Sequence, residues 1–555
     1  MGYRYFRSLA LGLNALSVLF IIPVLSTVIS QPNVILVIGD DIGHYNVGYN
    51  GNQEAKTPHI DNLAVSGARF DRMYAYCWCS PSRASIMSGR LPVHMYEKAA
   101  PAASTKDGLP IAVTTLAEKM KSAGYSTVQA GKWHLGLATM GRVPTHRGFD
   151  SSLGFFTGAE NHFNQSVCSD HLCLRAFGGP AKHIPGIDHG LFDLWHNETA
   201  ATVAETGPDK GWGDDRWTDH VIEAINATTA DSKPLFAWLS LAAAHTPLQA
   251  TKAALAPFPA DMYHDRRLYN GLMSTLDSNI GRLVAALKAK GMWDNTLLFF
   301  VSDNGGPIYF NNPIMTQQPN LQTGGGANNY PLTGGKLSML EGGVRVVSFA
   351  AGGALPVKAR GQTYRHLMAI ADIHATICDL GGAILPDARG VAAGIPPVDG
   401  ISLLPLLKAG PGGSQVRGVL PLALNITVPP NSSVPGGLVA WGSALIAGDL
   451  KIIVGDQHFY VTPNKTFPTE DYAYVWDDAH KLKCGATGCL FNLTADAGEQ
   501  NNLAATRTDL LASMHARLAE ELEKKYERPT GETRKLDMLL ELRKRDGFLG
   551  PYAED

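Results

Sequence analysis

Residues 33–41 read NVILVIGDD. After Asn33 come five uninterrupted apolar side chains, four of them β-branched, and Gly39 then separates the run from an aspartate pair. A strand with one wet face alternates polar and apolar residues. An unbroken run instead predicts a strand covered on both faces, as in a parallel sheet flanked by helices. In such sheets the loops leaving the C-terminal ends of strands hold ligands. Asp40 and Asp41 stand at that edge.

The same pattern recurs along the chain. Leu235 to Leu241 is a second buried run, leading to His245, and Thr296 to Val301 is a third, leading to Ser302-Asp303-Asn304-Gly305-Gly306. Thr114 to Ser122 has helical spacing, Gly124 fits the residue after its C-cap, and Ser126 to Ala130 reads as the next strand, followed by Gly131-Lys132. Met273, Leu276, Ile280, Leu283 and Leu287 form an apolar stripe at helical spacing within 265–290, which Gly291 stops. Helices alternating with buried strands predict an α/β fold with a mainly parallel sheet sandwiched by helices.

At 555 residues the chain exceeds one ordinary core, which predicts two domains. A Gly/Pro-rich stretch from Ala409 to Gly413 marks the boundary, giving a catalytic domain over 31–412 and a smaller α+β domain over 413–555. In the latter, Leu420–Leu424, Ser443–Ile446 and Leu450–Val454 read as short strands, Thr506 to Tyr526 as a helix and Arg534 to Arg545 as a basic tail. A net charge of −3 gives no field that would favour nucleic acid or an anionic membrane, so neither is an expected partner.

Residues 1–30 form a targeting segment: Arg4 and Arg7 precede an apolar stretch from Leu9 to Val28. A cleaved signal peptide and an uncleaved anchor are the two readings, and both place the remainder in the secretory pathway, extracellular or in a lysosome or vacuole. Sequons at Asn164, Asn197, Asn226, Asn425, Asn431, Asn464 and Asn492 agree with that compartment. The seven cysteines are Cys77, Cys79, Cys168, Cys173, Cys378, Cys484 and Cys489. Cys168/Cys173 and Cys484/Cys489 are spaced to close disulfide loops or, as C-x4-C pairs, to bind zinc, and an oxidising lumen favours the disulfides. An odd count leaves at least one cysteine free or modified.

Residues 77–90 read CWCSPSRASIMSGR, a turn into a helix with Pro81 suited to the first helical position and Gly89 to its end. The free N–H groups of a helix start favour an anion. Asp40, Asp41, Asp303 and Asn304 offer four hard oxygen-bearing side chains, which select calcium or magnesium over zinc. Each pair by itself is also what ordinary strand ends and helix caps use. Two such pairs at one sheet edge point to a metal.

The segment Cys79-Ser-Pro-Ser-Arg83 through Ser88-Gly89-Arg90 resembles the signature of type I sulfatases, with Ser88 where many members carry threonine. Gly131-Lys-Trp-His-Leu-Gly136 resembles the second signature of that family. Pro144 to Asp150, His245-Thr-Pro-Leu-Gln249 and Gly335 to Arg345 look most like the arylsulfatase B, or N-acetylgalactosamine-4-sulfatase, branch. The resemblance runs roughly from Asn33 to Leu503. It implies an alkaline-phosphatase-like fold and hydrolysis of sulfate monoesters, on a sulfated glycan or a small aryl sulfate. It also implies that Cys79 is oxidised to formylglycine (3-oxoalanine) by the formylglycine-generating enzyme. By the same resemblance Asp40, Asp41, Asp303, Asn304 and modified Cys79 match the calcium ligands. Arg83 matches the residue holding the formylglycine hydrate, and Lys132 and His134 the second-signature pair. His245 and Lys336 match the residues that grip sulfate on the leaving-group side. Specificity would come from loops such as Gly158 to Ser169 and Ile308 to Asn329. His374 has no such match and reads as structural.

Two other readings compete. A metal-dependent phosphodiesterase of the same superfamily would carry two zinc ions and an Asp-His pair where this chain has Asp303-Asn304, and asparagine is a poor zinc ligand. A secreted binding protein without catalysis would have no need of the cysteine, the cations and the ligands together.

Overall fold

The computed structural model describes residues 1–2, 31–97, 104–105, 108–168, 191–206, 208–229, 231–308, 325–426, 442–469, 478–528, 531–532 and 534–554. Residues 3–30 of the expected targeting segment, Cys173 and residues 309–324 of one expected specificity loop lie outside the described residues. Gln31 to Asp555 is one compact unit. No helix among the described residues is long and apolar enough to cross a membrane.

The main sheet comprises β1 (Asn33–Gly39), β2 (Ala68–Phe70), β3 (Ser126–Lys132), β4 (Ser151–Phe155), β5 (Trp195–His196), β6 (Thr199–Ala200), β7 (Leu235–Ser240), β8 (Thr296–Ser302), β9 (Ser348–Ala351) and β10 (Gln362–Tyr364). Their spatial order is β10-β2-β9-β8-β1-β7-β3-β4-β5-β6. The central strands β8, β1, β7, β3 and β4 run parallel, and antiparallel pairings are confined to the flanks. The unbroken apolar run of β1 is explained by its two neighbours and two covered faces. Val34, Leu36 and Ile38 pack to one side with Trp238 and Phe299, while Ile35 and Val37 pack to the other with Leu239 and Phe300.

Helices cover both faces. They are α1 (Pro58–Ser66), α2 (Cys79–Ser88), α3 (Leu116–Ser122), α4 (Gly213–Ala227), α5 (His264–Ala289) and α6 (Ala371–Gly381). Ala84, Ile86 and Met87 of α2, Met120 of α3 and Ile373 of α6 meet the first face. Ile60 of α1, Val221 of α4 and the Met273, Leu276, Ile280, Leu283 and Leu287 stripe of α5 meet the second. At α3, Thr115 and Glu118 close a capping box, and Gly124 takes φ 95° just beyond the helix end.

Two local expectations shift. Helix α2 begins at Cys79, so Pro81 is its third residue and not its first. The N–H groups of a first turn have no intrahelical acceptor, so a proline there forfeits no bond. The basic stretch after Arg534 is no tail: Lys535–Lys544 is helical, with Met538 and Leu542 buried in the main core. His374 is structural as expected. Its Nδ1 lies 2.9 Å from the Ile86 carbonyl of α2 and its Nε2 3.2 Å from Lys119 Nζ.

The C-terminal part forms a small antiparallel sheet, β11 (Val419–Ile426), β12 (Gly442–Ala447), β13 (Leu450–Val454) and β14 (Cys489–Asn492), backed by α7 (Thr508–Leu522). Cys484 and Cys489 are disulfide-bonded, and Cys77, Cys79 and Cys378 are free and buried. Leu422, Ile452 and Leu490 share one core with Tyr74, Leu340 and Val344 of the main body. At that seam Lys451 Nζ lies 2.9 Å from Glu341 Oε1 and 2.9 Å from Glu499 Oε1, all three side chains fully buried. Removing the cation of such a group leaves uncompensated buried charge, so Lys451→Met is expected to destabilise the fold by about 3–5 kcal/mol. Urea unfolding at neutral pH measures this; an unchanged midpoint would show that the seam does not need the ion pairs.

Candidate active site

Strand register determines which loops meet. Gly39 pairs with Ser302, Ile38 with Ser240, and Ser240 with Gly131. The C-terminal ends of β8, β1, β7 and β3 therefore lie side by side. From them emerge Asp303-Asn304, Asp40-Asp41, the segment to His245, and Lys132 to His134. Helix α2 brings Cys79 and Arg83 over the same edge, and the loop before β9 brings Lys336.

Nine of the ten expected site residues contact one another through side chains. Lys132 Nζ donates to Asp40 Oδ2 at 2.5 Å, and Lys336 Nζ to Asp41 Oδ2 at 2.7 Å. Arg83 donates through Nε to Asp303 Oδ2 at 2.9 Å, and its Nη2 sits 3.5 Å from Asp40 Oδ2. Cys79 Sγ is 3.7 Å from Asp40 Oδ1, Asn304 Nδ2 donates to Asp41 Oδ1 at 2.7 Å, and His245 Nε2 is 3.6 Å from Asp41 Oδ2. Three carboxylates thus face three cations. Burial alone would raise the Asp40 pKa, but Lys132, His245 and Arg83 outweigh it and hold the group below the usual carboxylate range. Burial likewise works against ionised Asp41, and Lys336 and His245 reverse it.

The tenth residue, His134, is placed by its backbone. It takes φ 53°, its N–H donates to Phe156 O at 3.2 Å, and its ring lies against Gly158. A Cβ on Gly158 would come within 2.9 Å of His134 Cε1, so the loop that starts at Gly158 borders this ring. Burial, then Lys132 and Arg83, push the His134 pKa well down, and its Nδ1 is buried without a partner. Burial and Lys336 also lower His245, against the pull of Asp41. Both shifts favour the neutral ring.

One ligand atom from each of Asp40, Asp41, Cys79 and His245 lies within 4.8 Å of the others, so these residues could share a metal ion. This set brings His245 within reach of the ion, which the sequence reading assigned to sulfate alone. Asn304 Oδ1 is buried with no hydrogen-bond partner. An orphaned oxygen beside three carboxylates is satisfied by a hard cation, so the donor set fits such an ion. Burial pushes the Cys79 thiol up to about 12 despite Lys132 and Lys336, so the unmodified side chain is a protonated, weak nucleophile.

Sequence reasoning missed several supports. Arg83 Nη1 donates to Lys132 O at 3.1 Å and also to Ser240 Oγ. Asp214 of α4 accepts from Ala242 N and Ala243 N, which fixes the turn into His245. His162 Nε2 lies 3.0 Å from the His245 carbonyl. Only the position of Ser240, a polar residue closing a buried strand, was readable as a signal.

This fold and site suit a hydrolase that gathers cations around an anionic ester. The sulfatase family profile matches residues 32–383. Arylsulfatase J of Mus musculus is 29% identical over 498 residues, covering 88% of this chain and 76% of its own length. Arylsulfatase A of Bos taurus is 30% identical over 384 residues, covering 68% of each chain. The solved structure of Ps i-CgsB in complex with k-i-k-neocarrahexaose superposes with a TM-score of 0.66 at 25% identity, over 93% of this chain and 98% of that one. The chain belongs to the sulfatase family, and its fold is the alkaline-phosphatase-like one expected above. It is a sulfuric ester hydrolase.

Arg83 makes a fork that a lysine point charge cannot reproduce. Arg83→Lys is expected to lower kcat on a chromogenic aryl sulfate by about 100-fold through misplacement of Asp303 and Lys132. Steady-state kinetics on the folded variant measure it, and near wild-type turnover would show the fork to be dispensable.

Proposed function

We propose that this sulfatase hydrolyses sulfate monoesters of glycans through a formylglycine formed from Cys79, with calcium as the bound metal. The observation that carries the reading is Cys79 itself. It starts a fully buried helix, its Sγ faces Asp40 among the site's acids, and its thiol is held protonated within a Cys-x-Pro-x-Arg core. A hydrated aldehyde there would supply one hydroxyl to attack sulfur and a second whose loss of a proton expels sulfate, while calcium would neutralise sulfate charge.

The chain's own residues do the rest. Lys132, Lys336 and Arg83 supply positive charge around the non-bridging and leaving oxygens, where the transition state gathers negative charge. Lys132 and Arg83 are fully buried and Lys336 largely so, and little reorganisation accompanies the reaction. Asp40, Asp41, Asp303 and Asn304 would hold the metal. Neutral His134, with Nδ1 bare, can accept a proton from the residue-79 hydroxyl, and His245 on the Asp41 side can hold the leaving oxygen. A site of three carboxylates and three cations is neutral by itself; a divalent ion leaves it two charges positive, matched to a sulfate anion. An asparagine among the four oxygen-bearing side chains Asp40, Asp41, Asp303 and Asn304 speaks against the two-zinc diesterase reading.

Processing of the targeting segment, passage through the secretory pathway to an extracellular, lysosomal or vacuolar site, and maturation by the formylglycine-generating enzyme belong to the same proposal. So does the division at residues 412 and 413. The pairing of Cys168 with Cys173 also remains a proposal, because Cys173 lies outside the described residues.

Three measurements test it. Exchange of H₂S for O at position 79 lowers the mass of its tryptic peptide by about 18 Da and removes its thiol reactivity; an active protein carrying only unmodified cysteine would overturn the mechanism. Cys79→Ser should lose multiple turnover, because serine lacks the second hydroxyl, whereas Cys77→Ser should retain it. Asp303→Asn should abolish turnover with the fold intact, and metal analysis of the active protein should find calcium; stoichiometric zinc with full activity would sink the metal assignment.

A further inference from the structure

The segment after β1, the segment after β8 and the segment carrying Lys336, the last two being separate parts of the β8–β9 connection, are tied together by one side chain. Asn329 is fully buried. Its Oδ1 accepts from Gly306 N at 3.1 Å and from His44 N at 3.3 Å. Its Nδ2 donates to Gly306 O at 2.9 Å and to Gly334 O at 2.9 Å. A carboxamide has two lone pairs and two N–H groups, and here all four are used on backbone.

The three segments contacted are those that carry chemistry. His44 lies three residues beyond Asp41, Gly306 two beyond Asn304, and Gly334 two before Lys336. The Gly306 carbonyl also accepts from Lys336 N at 3.2 Å, so one peptide group is shared by the amide and by the lysine's own backbone. There is no slack around this point. A Cβ on Gly335 would lie 2.5 Å from Gly306 O, and one on Gly306 would lie 2.7 Å from Gly43 Cα.

We propose that Asn329 is a positioning residue that fixes the Lys336 loop relative to the two acid-bearing loops. Lys336 pairs with Asp41 through flexible side chains; the amide hub holds the backbones beneath that pair. Registration of Lys336 against Asp41 and Asn304 is then set by four short bonds to main chain and does not depend on what the carboxylate oxygens bind. Asparagine suits the role because an acid would turn oxygen toward two carbonyls, and an apolar isostere would leave two N–H groups and the Gly334 carbonyl unsatisfied.

Wild type, Asn329→Leu and Asn329→Asp are compared on a chromogenic aryl sulfate, with thermal unfolding and amide hydrogen exchange. Both variants are expected to fold, with kcat lower by about 100-fold and KM within about threefold of wild type. Exchange should quicken in peptides covering the loops after β1 and β8 and the Lys336 loop, and stay unchanged in the small C-terminal sheet. As pH falls, Asn329→Asp should recover relative to wild type, because a protonated carboxyl regains one O–H donor, and Asn329→Leu should not. A lowered melting temperature with unchanged kcat would overturn the proposal, as would uniformly faster exchange. Failure of both variants to fold would overturn it too, since Asn329 would then be a folding residue. The proposal rests on sulfate-ester turnover; a wild-type enzyme that cleaves no sulfate ester would defeat that reading, and the exchange pattern would still decide the hub.

Discussion

Arg83 and Asp303 are the contact on which the site depends. The guanidinium is fully buried on α2, and it reaches Asp303 at the end of β8, the Lys132 carbonyl at the end of β3 and Ser240 at the end of β7. A buried arginine without acceptors is untenable, so the helix can lie on this sheet edge only where those strand ends supply them. Its seat in turn places Cys79, one helical turn earlier, beside Asp40. The acceptors lie on three different strands, which makes the arginine a register pin for the sheet edge as well as a charge in the site.

Paired charge explains why so many ionised groups can share a dry space. Each acid has its own cation, and burial, which would otherwise neutralise Asp40 and Asp41, is outweighed by Lys132, Lys336 and Arg83. The histidines follow the opposite logic. Buried, and surrounded by the same cations, His134 is pushed down, and its Nδ1 is bare. One electrostatic arrangement thus favours ionised Asp40 and Asp41 and unprotonated imidazole in the same place, as the proposed metal and proton transfer would need.

How much of this was readable depends on how local each signal is. The buried strands were legible because β1, β7 and β8 are apolar without interruption, and the acids after them because polar residues just beyond such runs stand out. Cys79 and Arg83 were legible as one short segment. Lys336 was not evident from local pattern and came only from resemblance of the surrounding segment. Asn329 left no trace at all: it sits among asparagines and glycines, and its partner His44 is 285 positions away. The tail that proved a helix shows the same limit in reverse. Its lysines and arginines dominate the reading, while Met538 and Leu542, which settle its place in the core, are too few to form a stripe.

Burial of α2 also constrains the order of events at Cys79. All ten residues of the helix are buried, and Cys79 is 5% exposed. A macromolecular catalyst cannot reach a side chain in that position without unseating Arg83 from Asp303, which would strand two buried charges. If residue 79 carries an aldehyde, the oxidation must therefore precede closure of the sheet edge, while Cys79-Ser-Pro-Ser-Arg83 is still an extended segment. The Arg83–Asp303 contact then has a second consequence. On that reading it orients residue 79 and closes it off from further enzymatic modification, so the redox state reached before folding would be the one the mature site retains.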